Sequence, residues 1–261
     1  MKGIETVALD DDNERCLLDF MSRDRVSHFY AIYDLRHLKK NTLTWIALLD
    51  DEVVGYLLEY DKRILYMRGG KDCAVPLLKN SGLTEALLNI ETHQLSLVET
   101  LFEPVEPADK MTEGQITTFV TMKATRQSFR PIVQHRVLEL KKESAPKLAD
   151  LLGINPEQAL GFFRGLAYGL FKGWKLVSYA ASPEILDDLA IIREVFTAPK
   201  ERNRGYSHSV CSVLVRKLLD EGKDVILYVS KDNPAPIEVY REIGFKKTGH
   251  LFLGFAARRR H

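Results

Sequence analysis

The sequence predicts a mixed α/β fold, α+β in its strand order, laid down twice along the chain. Three observations predict it. Apolar segments with the two-residue period of strands alternate with segments of helical spacing from end to end. The strand and helix order of the first half is echoed in the second, although no identity between the halves is visible. The 261 residues, 45% hydrophobic and 28% charged, suit two modest domains, each with a core of its own. The division falls near residues 129–134 and gives a first domain, 1–130, and a second, 131–261.

The first domain opens with helical spacing over residues 13–21, where Cys16, Leu17, Phe20 and Met21 share a face. TWIALL and EVVGYLLEY flank the turn pair Asp50-Asp51 and form a hairpin. Asp61-Lys62 marks the next turn and ILYMR a third strand. A helix-like stretch at 74–79, an apolar stretch at 86–90, a helix near 94–102 and a strand near 115–122 complete it. Pro104 and Pro107 make 103–109 an exposed connection.

In the second domain HRVLEL reads as a strand and SAPKLADLL as a helix capped by Ser144, with Pro146 in its first turn. Asn155-Pro156-Glu157 starts another helix by the same chemistry. LAYGLF, KLVSYAAS and LAIIREVFT read as strands, and 207–221 as a long helix stopped at Gly222. The strand VILYVS, a short helix over 236–243 and strand material after Phe245 close the chain. Gly161, Gly165, Gly169 and Gly173 recur every fourth residue, as on a membrane helix interface. Arg164 and Lys172 break the apolar run, however, and Lys172-Gly173-Trp174 reads as a hairpin turn.

Lys+Arg 37 against Asp+Glu 36 leaves a net charge of +1, which argues against a chain whose main work is coating nucleic acid. No apolar run is long enough to span a bilayer, and the acidic amino terminus lacks the apolar stretch of a signal peptide. Cys16, Cys73 and Cys211 form neither a disulfide framework nor a C-x-x-C pair. A cytoplasmic location is the expectation.

Chemistry concentrates in Val195-Phe196-Thr197-Ala198-Pro199-Lys200-Glu201-Arg202-Asn203-Arg204-Gly205-Tyr206-Ser207. An apolar strand runs into a basic turn that opens directly into the long helix. Backbone N–H groups there face one concavity, and the first helical turn adds unpaired N–H groups and a positive dipole end. The turn suits a phosphate or diphosphate. Gly205 allows close approach, Ser207 and Ser209 offer hydroxyls, and Arg202 and Arg204 add charge. An ordinary basic strand-to-helix connection reads the same way. G-x-x-x-x-G-K-[ST], G-x-G-x-x-G, G-x-S-x-G and H-E-x-x-H are all absent. The histidines show no ligand spacing, so no metal is expected.

A second pattern runs from Asn233 through Tyr240 to Gly244-Phe245, after the strand VILYVS. R-x-x-G-Y-S after V-x-T-x-P, followed one strand later by N-x-x-x-x-x-x-Y-x-x-x-G-F, resembles the GNAT superfamily of N-acetyltransferases. The resemblance covers about residues 137–255, with its motifs confined to 195–245. It implies a GNAT fold for the second domain, with acetyl-CoA as cosubstrate. Arg202, Asn203, Arg204, Gly205, Tyr206 and Ser207 would then form the turn that holds the CoA diphosphate. LAIIREVFT and VILYVS would splay to admit the pantetheine arm, with Val195, Phe196 and Thr197 along it and Asn233 at the other strand's end. Arg202 stands where the family uses Gln or Arg, and Ser207 where Gly or Ala is usual. Tyr240 matches the family's general acid, which protonates the departing thiolate. Plain packing at a helix–sheet junction is its structural alternative.

The implied reaction is transfer of an acetyl group to a primary amine by direct attack in a ternary complex. The amine must lose a proton, and Glu194 is the candidate base. Strand alternation places it with Ala190, Ile192 and Phe196, opposite Arg193; a structural pair with an arginine suits it equally. The Val195 N–H suits the developing oxyanion. His208 and residues 258–261 read as surface groups. The first domain has no such turn. Met67-Arg68-Gly69-Gly70 is its nearest approach, so it reads as a degenerate GNAT-like domain that walls the acceptor cleft or serves structure. Expected partners are acetyl-CoA and an amine acceptor, with no membrane and no nucleic acid, in a monomer or homodimer. A catalytically silent acyl-CoA sensor or interaction module is the alternative.

Overall fold

The computed structural model describes residues 3–106 and 116–260. The chain forms two compact units, Met1–Phe119 with His250–His261, and Val120–Gly249. This differs from a division at 130/131 for two reasons. Val120, Met122 and Ala124 are core residues of the second unit. The last strand leaves that unit to pair in the first.

The first unit contains β1 (Glu5–Ala8), α1 (Glu14–Ser22), α2 (Phe29–His37), β2 (Thr42–Leu49), β3 (Glu52–Tyr60), β4 (Ile64–Gly69), α3 (Ala74–Leu78), β5 (Glu85–Glu91), α4 (Leu95–Val98) and β6 (Phe102–Pro104). The second contains β7 (Thr117–Ala124, from Val120 on), β8 (Leu138–Glu139), α5 (Ala145–Leu152), α6 (Pro156–Leu160), β9 (Leu166–Lys172), β10 (Lys175–Ser182), β11 (Leu189–Ile192), β12 (Glu194–Thr197), α7 (Tyr206–Asp220), β13 (Asp224–Ser230) and α8 (Pro234–Glu242). β14 (Lys246–Arg259) begins there and belongs to the first unit from His250 on.

In the first unit β1 to β4 are antiparallel neighbours and β4 lies parallel to β5. The β2–β3 turn has Asp50 and Asp51 at φ 51° and 66°, and the next turn has Asp61 and Lys62 at 52° and 53°. These left-handed pairs match the twist of two-residue hairpins. α2 has no counterpart among the sequence expectations. Phe29, Ile32 and Leu35 are buried at helical spacing, but no side chain caps the helix and interleaved tyrosines blur its period. The helix expected near 94–102 is shorter, because Phe102–Pro104 pairs with β14 instead. That pairing also places Pro104 in a strand, whereas 107–109 and Gln115 lie outside the described residues. The closing arginines are no solvated tail. Arg258 pairs with Glu85 at 2.9 Å, and Arg259 donates to the carbonyls of Leu78, Ser81 and Leu83. His261 lies outside the described residues.

In the second unit β9 and β10 form the hairpin predicted around Gly173, which has φ 62°. Asn155 caps α6 by accepting from the Gln158 N–H at 2.8 Å, in a reciprocal capping box. Ser144 caps nothing, because a 3-10 turn over Lys142–Ser144 already leads into α5. HRVLEL is a strand only at Leu138–Glu139. One core packs β7, β11 and β13 against α7 and α8; a smaller one lies between α5, α6 and the other face of β9 and β10. Among the described residues, no helix is long and apolar enough to cross a membrane.

Candidate active site

LAIIREVFT is two strands rather than one. β11 runs parallel to β13 up to the pair Ile192–Leu227, whereas β12 pairs antiparallel with β10 and ends a separate four-stranded sheet. Arg193 belongs to neither. Ala181 stands opposite Glu194, yet its carbonyl accepts from the Arg193 N–H at 3.1 Å, so two residues face one. This is a β-bulge. Beyond it β12 stays with β10, whereas β13 keeps its place beside β7 and runs on to Ser230.

The extra residue also reverses the alternation of side chains. Ala190 and Ile192 sit in the core that holds Tyr240, as does Val195, but Phe196 packs into the smaller core with Tyr179. Glu194 has the parity of Phe196. It therefore lies on the α5–α6 face, and the expectation that it shares a face with Ala190 and Ile192 is corrected. The hydrogen bonds follow the same parity. The Ala198 N–H donates to the Val177 carbonyl at 2.9 Å. Alternation then leaves the main-chain groups of Val195 and Thr197 turned away from β10, towards the gap.

The gap is a cleft of about 410 Å³. Along one wall lie Val195, Phe196 and Thr197; across the end lie Arg202, Asn203, Arg204, Gly205, Tyr206 and Ser207; Asn233 and Tyr240 line the other side. Glu194 is not among the lining residues. Asn203 and Gly205 have left-handed φ values of 60° and 73°, and Gly205 is the N-cap of α7. The turn thus brings main-chain N–H groups together just before the free N–H groups of a fifteen-residue helix.

The polar side chains at the turn are partly engaged. The Arg202 Nε donates to the Thr197 carbonyl at 3.3 Å. Arg204 stands 3.5 Å from Glu201, which also takes a hydrogen bond from Lys172 at 3.0 Å. That bond from Lys172 lowers the pKa of the Glu201 carboxyl. The Thr197 hydroxyl is tied to Ser178 at 2.8 Å, which leaves the cleft only its main chain. Ser209, expected to offer a hydroxyl to the ligand, is fully buried: it accepts from the Gln134 N–H and donates to the Gly205 carbonyl. His208 bonds Glu242 on α8 at 2.5 Å. Asn233 precedes α8 but its side chain caps nothing.

Tyr240 is 8% exposed, with its ring 5.8 Å from that of Phe245. Burial raises its pKa first, and the nearby Cys211 and Glu194 raise it further. The Glu194 carboxyl is likewise raised by burial, with Arg193 opposing and Glu184 adding to the shift. Arg193 gives its closer contact to Glu184, 2.8 Å against 4.0 Å to Glu194.

Residues 167–252 match the family model of the FR47-like proteins. A Drosophila protein of known structure covers 97% of this chain and 99% of its own at a TM-score of 0.69, with 12% identity. A GCN5-related N-acetyltransferase from Sphaerobacter thermophilus covers 98% and 95% at 0.65, with 13% identity. A tandem GNAT protein from the clavulanic acid biosynthesis pathway covers 98% of both chains at 0.59, with 12% identity. The chain has the GNAT fold. No curated protein matches it by sequence.

Both units follow the GNAT plan, but the corresponding gap in the first is bridged by side chains. There β4 and β5 pair in parallel as far as Tyr66–Asn89. Beyond that, the 3% exposed Arg68 donates to the Asn89 carbonyl and side-chain oxygen at 3.0 and 2.6 Å. The Gly69 N–H donates to Glu91 at 2.9 Å, and Gln94 donates to the Gly69 carbonyl at 3.0 Å. Among the described residues, no group of three or more His, Cys, Asp or Glu is placed to hold a metal.

Gly205 generates a direct prediction. A Cβ there would meet Gln134 Oε1 at 2.7 Å and force a side chain to hold φ 73°. Gly205→Ala should cost about 1–2 kcal/mol, read as a lower midpoint in urea with unchanged m.

Proposed function

We propose that the protein is an N-acetyltransferase that moves an acetyl group from acetyl-CoA to a primary amine by direct attack in a ternary complex. One observation carries this reading: a helix-opening glycine turn, an unpaired strand edge and a buried tyrosine line the same 410 Å³ cleft. The diphosphate binds the N–H groups of residues 203–207, and the pantetheine amides bond the main-chain groups of Val195 and the Thr197 N–H along β12. The thioester then lies where the Val195 N–H meets the carbonyl oxygen as it gains charge.

The amine enters from the α5–α6 face, where Glu194 takes its proton, directly or through water. Attack on the carbonyl forms the C–N bond and breaks the C–S bond, and Tyr240 supplies the hydrogen bond and proton to the leaving thiolate. The phenol carries its proton at working pH, and because burial raises its pKa the transfer is coupled to the charge developing on the sulfur. The first unit, its gap filled by Arg68, Glu91 and Gln94, takes no cosubstrate. Calorimetry should therefore give one CoA per chain; two would refute this division of labour.

Acetyl-CoA turnover against a panel of amines tests the reaction. Tyr240→Phe should lower kcat by about 10²–10⁴-fold with little change in KM for acetyl-CoA. Full retained turnover removes Tyr240 as the acid, and CoA binding with no turnover on any amine would favour a silent acyl-CoA sensor.

For Glu194, activity should rise with pH through a limb above the ordinary glutamate range, and Glu194→Gln should abolish that limb. Stability moves the opposite way. A carboxyl whose pKa is raised on folding favours the folded state while protonated, and that contribution is lost as pH rises through the folded pKa. Glu194→Gln should thus raise the melting temperature at neutral pH while lowering activity; a lower melting temperature would mark Glu194 as a structural ion-pair partner.

A further inference from the structure

Residues 130–134, which span the division that the sequence suggests, are fastened along α7. The Arg130 N–H donates to the Ile243 carbonyl at the end of α8. The Ile132 N–H donates to Ser212 Oγ at 2.9 Å and the Gln134 N–H to Ser209 Oγ at 3.1 Å, and both serines are fully buried. The strap therefore has a fixed register on the helix that follows the phosphate turn. His135 extends beyond that helix. Its Nε2 lies 2.8 Å from the Arg204 carbonyl, and its ring stands edge-on to Tyr206 at 4.7 Å. A carbonyl only accepts, so Nε2 carries the hydrogen.

We propose that His135 is a positioning residue for the diphosphate turn. It holds the Arg204–Gly205 peptide with its carbonyl towards the strap and its N–H into the cleft. This rests on the reading that the turn grips a diphosphate. In a trans peptide the C=O and N–H point in opposite directions, so fixing one aims the other. Gly205, at φ 73°, offers little torsional resistance to a flip of that peptide, and a glycine turn needs an external hold if its N–H is to be preorganised. The edge-on contact with Tyr206 keeps the imidazole from swinging away.

The test compares CoA with pantetheine, which lacks the diphosphate. Loss of one organising hydrogen bond predicts that His135→Ala weakens CoA binding about threefold to tenfold and leaves pantetheine binding unchanged. His135→Gln, which keeps an N–H donor, should recover most of the CoA affinity. His135→Phe, which keeps the ring against Tyr206 without the donor, should behave like alanine and serves if the alanine variant does not fold. An unchanged CoA affinity in the alanine or phenylalanine variant, or an equal loss for both ligands, overturns the assignment. If the wild-type protein binds no CoA at all, the failure lies with the diphosphate reading itself.

Discussion

The site depends on one residue too many. Arg193 and Glu194 together oppose Ala181, and a strand cannot absorb the extra residue without leaving one of its neighbours. β12 stays with β10 and abandons β13. Three consequences follow from that single bulge. A gap opens between strands that were paired, one edge of β12 is left with unsatisfied main-chain groups, and the side-chain parity reverses. The gap leaves room for the proposed pantetheine arm, and the edge of β12 that faces it offers hydrogen bonds. The reversal puts Glu194 on the α5–α6 face and Val195 on the face of Tyr240. None of this requires an unusual side chain, because it is main-chain arithmetic.

The two units show how one plan serves two ends. Each has a parallel strand pair whose pairing stops short: both β4 and β5 run beyond theirs, and β13 runs beyond its own past the end of β11. In the second unit the vacated space is an open cleft. In the first, the Arg68 guanidinium occupies it, 4.0 Å above the Phe252 ring and bonded to main-chain and side-chain oxygens. A buried charge satisfied on so many sides is costly to displace, because removing its partners leaves it desolvated and unpaired. The first unit thus satisfies the groups at its strand ends with its own side chains.

Local chemistry was legible in the sequence, and pairing was not. Asp50-Asp51 and Asp61-Lys62 predicted hairpin turns because only a few residue types tolerate left-handed pairs; Asn155 predicted a cap because its side chain meets a donor three residues on. Gly205 and the residues around it were legible for the same reason, and the structure brings them into one cleft with Asn233 and Tyr240. The bulge left no such trace. Arg193-Glu194 is a charged pair between two apolar runs, which a single strand can also carry, so a nine-residue strand and two four-residue strands read alike until their partners are known. The strap was missed because its anchors, Ser209 and Ser212, lie about eighty residues away in the chain. The departure of β14 to the first unit was invisible for a related reason, since a strand carries no mark of which edge it will join.

The electrostatic arrangement also sorts the two ends of the proposed cosubstrate. Lys172, Arg202 and Arg204 put exposed charge at the turn, with the Glu201 carboxylate between Lys172 and Arg204, where a diphosphate keeps part of its hydration. Deeper in, burial raises the pKa of both the Tyr240 phenol and the Glu194 carboxyl, because it disfavours their charged forms. A neutral thioester and a neutral amine are the species such an interior favours, whereas an ammonium would cost desolvation. Tyr240 and Glu194, the proposed acid and base, lie on opposite faces of β12, which would let each substrate enter without the other leaving. That arrangement is what the proposed direct transfer between two bound substrates requires.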